Sequence, residues 1–271
     1  MTAPRAVRPL EPSPRREARH APTEAPAVEI ADVHRAYGPS GNHVLALAGV
    51  TLTAEPGAFV CLVGASGCGK STLLNILAGL DRPQLGHVTV RGRVALLFQE
   101  AALFPWLSAS GNVELALRLA GVPRRERRDR ARQLLDMVQL TEFADRQPHE
   151  LSGGMRQRVA VARALAQGAD ILLMDEPFGS LDAMTRDLLH DELERIWLDT
   201  RLTVVFVTHD VREAVRLGDR VAVLTSRPGR VAAELDVDLD RPRQLSDPAV
   251  GRMAEQITER LRDEVVRHAD D

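Results

Sequence analysis

Lysine is almost absent from this 271-residue sequence: Lys70 stands alone, and arginine supplies the rest of the 35 basic side chains. The bias has the marks of GC-rich coding, and it makes the exception informative. Where a guanidinium serves, this chain uses one, so Lys70 marks a place where it does not serve. Aromatic residues make up only 3% of the chain, with a single tyrosine, Tyr37. The two cysteines, Cys61 and Cys68, are too few for a disulfide framework and suit a reducing compartment. A basic excess is missing as well. With 35 basic against 38 acidic residues, the net charge of -3 lacks the electrostatic footprint of a nucleic-acid binder. No stretch approaches the roughly twenty uninterrupted apolar residues of a membrane span. If such a chain works at a membrane, it must dock onto something that crosses it.

What is present is a hydrophobic content of 44%, enough for a proper core in one large α/β domain or two modest ones. Residues 1–27 are rich in Pro, Arg, Ala and Glu and short of large apolar side chains, so a disordered N-terminal extension is expected there. Without an apolar h-region it is no secretory signal. Short alternating strands are expected at residues 28–37 and 44–52, then a strand buried on both faces at 59–63. A helix follows over 71–80, and two short strands over 86–98. Residues 100–160 read as a mostly helical subdomain, including a charged helix at 124–138 with Leu134, Leu135 and Val138 on one side. Apolar strands at 171–174 and 203–208 flank a helix at 183–199. This order predicts a mostly parallel sheet covered by helices, preceded by an antiparallel β subdomain and interrupted by the helical insertion. Residues 236–271 form a short helical tail whose Met253, Ile257, Leu261 and Val265 recur every four residues.

The strongest local signal is Gly64-Ala65-Ser66-Gly67-Cys68-Gly69-Lys70-Ser71, followed by Thr72, between a buried strand and a helix. This is the P-loop pattern in its required setting. Its glycines permit positive φ and let backbone N–H groups face phosphate oxygens. The helix N-terminus adds partial positive charge. Lys70 reaches phosphate as a compact point charge, and Ser71 offers its hydroxyl to Mg²⁺. Cys68 sits where a helix N-terminus lowers a thiol's pKa, but it reads best as a side chain turned away from phosphate. Further on, Ile171-Leu172-Leu173-Met174-Asp175-Glu176 is an apolar strand ending in two carboxylates. At the C-terminal edge of a parallel sheet these emerge beside the P-loop, Asp175 toward Mg²⁺ and Glu176 toward the attacking water.

Leu151-Ser152-Gly153-Gly154-Met155-Arg156-Gln157-Arg158 narrows the field, because it resembles the signature sequence of ATP-binding cassette (ABC) proteins. Ser152 also suits a helix N-cap. In that family the loop carrying Ser152, Gly153 and Gly154 binds ATP held by a second copy of the domain. The resemblance implies several further roles. Gln99 senses Mg²⁺ and water and links to the membrane partner, and Ser180-Leu181-Asp182 crosses to the opposite subunit. His209 contacts the γ-phosphate, and Tyr37 stacks on adenine. It covers residues 28–235 and implies an ATPase using ATP and Mg²⁺, working as a homodimer with two transmembrane permease subunits at the cytoplasmic face of the membrane.

Phe98-Gln99-Glu100, Leu103-Phe104-Pro105-Trp106, Leu181-Asp182-Ala183-Met184-Thr185-Arg186 and Arg227-Pro228-Gly229-Arg230 resemble the nitrate, aliphatic sulfonate and taurine importers, which add an extracytoplasmic solute-binding protein. The rivals are a soluble cassette ATPase, whose paired cassettes or coiled coils are missing, and an exporter ATPase, disfavoured by the Phe-Pro-Trp and Arg-Pro-Gly-Arg segments. Two departures from the family pattern stand out: Met155 replaces the commoner glutamine, and the segment from Lys70 to Gln99 is short. Phe104-Pro105-Trp106 reads equally as helical core or as a groove for a partner's helix.

Overall fold

A computed structural model describes residues 25–39, 43–179 and 181–267, with side chains to residue 262. The expected extension lies outside the described residues up to position 24. Ala27, at its end, is buried, and its carbonyl accepts from the Arg91 N–H at 2.8 Å. Ser180 is also outside them.

In chain order the elements are β1 (Val28–Tyr37), β2 (Val44–Ala54), β3 (Phe59–Val63), α1 (Lys70–Leu77), β4 (Leu85–Val90) and β5 (Val94–Leu97). Then come α2 (Ala109–Leu119), α3 (Arg124–Met137), α4 (Gly153–Ala166), β6 (Ile171–Asp175), α5 (Ala183–Thr200) and β7 (Thr203–Thr208). The chain closes with α6 (Val211–Leu217), β8 (Arg220–Leu224), β9 (Val231–Asp236) and α7 (Pro248–Arg267).

Six strands form the main sheet in the order β5-β6-β7-β3-β8-β9, all parallel except β9. All five residues of β3 are buried, as a strand covered on both faces must be. A second, antiparallel sheet has the order β2-β1-β4. The short segment after Lys70 therefore divides between two sheets: β4 pairs with β1, and β5 pairs with β6. The joint is tight. Gly92 has φ 144°, a Cβ there would lie 2.8 Å from the Asp170 Cβ, and the Asp170 carboxylate accepts from the Arg93 N–H at 2.8 Å.

Helix α1 ends three residues earlier than the apolar pattern predicts, because Gly79 turns into the left-handed region (φ 71°). Helices α2, α3 and α4 pack on one another, and Ala131, Leu135 and Val138 join the same buried cluster as Phe59 and Phe206 of the sheet. The helical layer and the sheet thus share one core. Helix α7 lies on α6 and buries Val250, Ala254 and Ile257, with Met253 and Leu261 partly buried beside them. The Val265 side chain lies outside the described set. Among the described residues no helix is long and apolar enough to cross a membrane.

Candidate active site

The register of the parallel strands assembles the site. Val63 at the end of β3 lies between Thr208 of β7 and Val223 of β8, and Asp175 of β6 lies beside Val207. The loops after β3, β6, β7 and β8 therefore leave the sheet at one edge, where ligands bind parallel α/β sheets.

The loop after β3 is built around its glycines. Gly69 caps α1 with φ 97°, and a Cβ there would sit 2.6 Å from Leu47 Cδ2 and 2.8 Å from the Ala46 carbonyl oxygen. Lys70 is only 5% exposed. Its Nζ donates to the carbonyls of Gly64 at 2.8 Å and Ala65 at 3.1 Å, and lies 3.9 Å from Glu176 Oε1. The compact ammonium reaches both carbonyls at once, a geometry that a planar guanidinium would not imitate. A cavity of about 450 Å³ opens over the loop. Of the residues read from sequence, Tyr37, Ser66, Gly67, Gly69, Lys70, Ser71, Thr72, Gln99, Asp175 and Glu176 line it. Cys68 does not. Its thiol is buried, and burial raises its pKa against the opposing pull of Lys70, so a reactive thiolate is disfavoured.

Glu176 holds φ at 43°, a conformation rare outside glycine, with its N–H donating to the Val207 carbonyl at 3.0 Å. Its Oε2 lies 2.8 Å from His209 Nδ1, so the carboxylate stands between the ammonium and the imidazole. His209 itself is 60% exposed and reaches the cavity only through Glu176. Burial raises the Asp175 carboxyl above its ordinary value, and the Ser71 hydroxyl partly offsets this. Ser71, Gln99 and Asp175 present a hydroxyl, an amide and one carboxylate to the same cavity. This all-oxygen set with a single carboxylate suits Mg²⁺ carried on a nucleotide's phosphates, and a dedicated protein cage is absent among the described residues.

Tyr37 is held in place by its neighbours. Its hydroxyl donates to Asp81 Oδ2 at 2.7 Å, and the Arg35 guanidinium lies 4.6 Å from the ring centroid.

The structure does not bring Ser152, Gly153, Gly154 and Asp182 to this cavity. Ser152 caps α4 by accepting from the Met155 N–H at 3.2 Å, and Asp182 caps α5 by accepting from the Thr185 N–H at 3.0 Å. The two caps meet each other: a Cβ on Gly154 would come 2.5 Å from Thr185 Cγ2, and one on Gly153 3.1 Å from Leu181 Cδ2. They form a separate surface. Phe104 and Trp106 also lie outside, with ring centroids 5.5 Å apart and Trp106 70% exposed, which excludes the core reading for Trp106. Buried Asn112 fixes that turn by accepting from the Phe104 N–H and donating to three carbonyls.

An uncharacterized ABC transporter ATP-binding protein of Methanocaldococcus jannaschii, MJ0412, is 43% identical over 248 residues, 89% of this chain and 93% of the relative. The chain belongs to the ABC transporter family, as a cassette ATPase. The family's sequence profile, ABC transporter, matches residues 47–179. The nitrate import ATP-binding protein NrtD of Synechocystis sp. is 47% identical over 78% of this chain and 83% of its own. The taurine import ATP-binding protein TauB of Rhizobium johnstonii is 50% identical over 74% and 80%. Among solved structures, the dimeric post-hydrolysis state of the ATP-binding cassette MJ0796 bound to ADP and Pi superposes with a TM-score of 0.69 at 36% identity, covering 79% of this chain and all of that one.

Two features of this cassette escape sequence reasoning. Arg227 lines the cavity from the turn after β8. Its signal was position: a cationic residue just beyond a strand that neighbours β3. The second is a buried network behind His209. Glu213 of α6 accepts from His190 Nε2 at 2.6 Å and from the Thr208 hydroxyl. Arg216 donates to His190 Nδ1 at 3.2 Å, which leaves the proton on Nε2. The Thr208 oxygen in turn accepts from the Asp210 N–H at 3.0 Å, bracing the turn that carries His209.

Proposed function

We propose that this cassette energises import of a small oxyanion, an aliphatic sulfonate, taurine or nitrate, as a head-to-tail homodimer on the cytoplasmic face of the cell membrane. One observation carries the reading. The Lys70 cavity and the loop with Ser152, Gly153 and Gly154 lie apart within one copy, so each ATP is enclosed only when a second copy supplies its loop. The dimeric cassette bound to ADP and Pi supports the assembly, and the importer names of NrtD and TauB support the transport direction.

In the enclosed site Tyr37 stacks on adenine, while the backbone from Gly64 to Gly69, with Ser66, Lys70 and Thr72, holds the phosphates. Mg²⁺ would be held by Ser71, Gln99 and Asp175, and supplies neutralising charge on the phosphate oxygens. Glu176 takes a proton from water as the water oxygen attacks the γ-phosphorus and the bond to the β–γ bridging oxygen breaks, releasing ADP and phosphate. Lys70 and His209 stabilise the charge that develops on the γ-phosphoryl oxygens. Asp182, at the entry to α5, meets the opposite copy. Two transmembrane permease subunits dock near Gln99 and exposed Trp106. The Gln99 carbonyl accepts from buried Gln157 of α4 at 2.6 Å, which ties the docking turn to the signature helix. An extracytoplasmic solute-binding protein delivers the cargo.

Mixing two inactive variants tests the composite site. Lys70→Ala and Gly153→Asp each ruin one half, yet their heterodimer retains one intact pair of halves. ATPase activity should return on mixing, and a mixture as inactive as its components refutes the arrangement. For the cargo, deletion should abolish cellular uptake of taurine, an alkanesulfonate or nitrate. Unchanged uptake of all three refutes the solute class.

A further inference from the structure

Besides Lys70, the cavity has a second cation, Arg227, to which no motif assigns a role. It belongs to the turn between β8 and β9 and lines the cavity together with Tyr37, Ser66, Gly67 and Lys70. The turn is fixed from several sides. The Gly229 N–H donates to the Ala46 carbonyl at 2.8 Å, and the Ala48 N–H donates to the Gly229 carbonyl at 3.0 Å. Within the turn the Thr225 hydroxyl donates to the Pro228 carbonyl at 2.8 Å and accepts from the Arg230 N–H at 3.0 Å. A Cβ on Gly229 would collide with the Cys68 carbonyl oxygen, so the turn rests directly on the backbone of the phosphate loop.

The guanidinium, by contrast, is uncommitted. Among the described residues it has no carboxylate within 4.0 Å, and its hydrogen bond, from Nε to the Gly67 carbonyl, is long at 3.4 Å. Other arginines of the same sheets are paired: Arg35 with Asp81 at 2.9 Å and Arg220 with Glu234 at 3.2 Å. A rigid seat holding an unpaired guanidinium at the wall of a phosphate cavity is what recognition of an anion requires, since little ordering remains to be done on binding.

We infer that Arg227 binds the phosphate oxygens of the nucleotide, sharing the polyphosphate with Lys70. The inference rests on the reading that this cavity holds ATP. The two cations divide the work by shape. Lys70 is a compact ammonium among the carbonyls of Gly64 and Ala65, and Arg227 stands at Gly67 in the open, where a planar fork reaches two oxygens at once. Arg227 is a binding residue and takes no part in bond breaking.

Equilibrium binding of ATP, ADP and adenosine to the full chain tests this, with Arg227→Ala, Arg227→Lys, Arg227→Glu and Lys70→Ala compared with wild type. Arg227→Ala should weaken ATP and ADP about tenfold, the scale of one charge-assisted contact at an open site. Arg227→Glu should weaken them further, and Arg227→Lys less. Adenosine, measured by competition, should bind all Arg227 variants alike. If Arg227→Ala and Arg227→Glu bind ATP within twofold of wild type while Lys70→Ala does not, Arg227 is a solvated surface residue and the inference falls, with the cavity reading intact. An equal loss for adenosine and ATP also overturns it, because the effect then does not run through phosphate. Wild-type ATP binding by Lys70→Ala as well overturns the cavity reading itself.

Discussion

Replacing Glu176 by glutamine separates binding from chemistry. The amide has the size of the carboxylate and keeps an oxygen to accept from His209 Nδ1, 2.8 Å away, so the geometry of the turn survives. What disappears is a base able to take a proton from water. Positioned general bases contribute roughly 10²–10⁴ in rate, so turnover should fall at least about a hundredfold. Affinity should move the other way. In the free protein the buried Lys70 Nζ lies 3.9 Å from the carboxylate, so the attraction is at least the roughly 1 kcal/mol it would have in bulk water. Bound phosphate must compete with that attraction in wild type but not in the variant. ATP binding should therefore tighten by about fivefold or more. Phosphate release under steady-state conditions measures the first effect, and equilibrium titration with ATP the second. Turnover within about threefold of wild type would remove Glu176 from the role of base. Loss of ATP affinity in parallel with turnover would show that the carboxylate holds the site together.

Asp175→Asn probes the neighbouring acid in the nucleotide-free, metal-free protein. Burial raises the folded carboxyl above its ordinary value of 3.8, so its favourable term is fully present below that pH and is lost as pH rises through the raised folded value. The variant should melt close to wild type below pH 3.8 and higher than wild type at pH 7, with the difference opening as pH rises. A difference that stays flat with pH refutes the burial argument. Glu213→Ala should strand the His190 Nε2–H and the Thr208 hydroxyl without an acceptor, costing about 2–3 kcal/mol. The expected readouts are a melting temperature lower by roughly 5–10 °C and a reduced kcat with KM for ATP unchanged. Equal melting and equal kcat would show that the network does not brace His209.

The P-loop, the strand that feeds it and the paired acids at the end of β6 were determined by the sequence itself. Continuous apolar runs, glycine spacing and a helix start are short-range features, and β3 and β7 begin and end where those patterns do. The single lysine belongs with them, since its use over arginine is visible before any fold is known. Other features depended on which strands became neighbours, and long-range pairing settles that. Only β8 beside β3 carries Arg227 to Gly67, 160 residues away in the chain, a contact that the segment Arg227-Pro228-Gly229-Arg230 does not announce. Only the pairing of β4 with β1 and of β5 with β6 divides the short segment after Lys70 between two sheets. The bracing of His209 is equally remote, because His190, Glu213 and Arg216 lie on two helices that meet through packing. The family resemblance already assigns the Ser152 loop to ATP held by a second copy, and the fold keeps Ser152 out of the Lys70 cavity of its own copy. Gly153 and Gly154 have no side chain, so the start of α4 seats closely against the start of α5, a contact that only the tertiary fold decides.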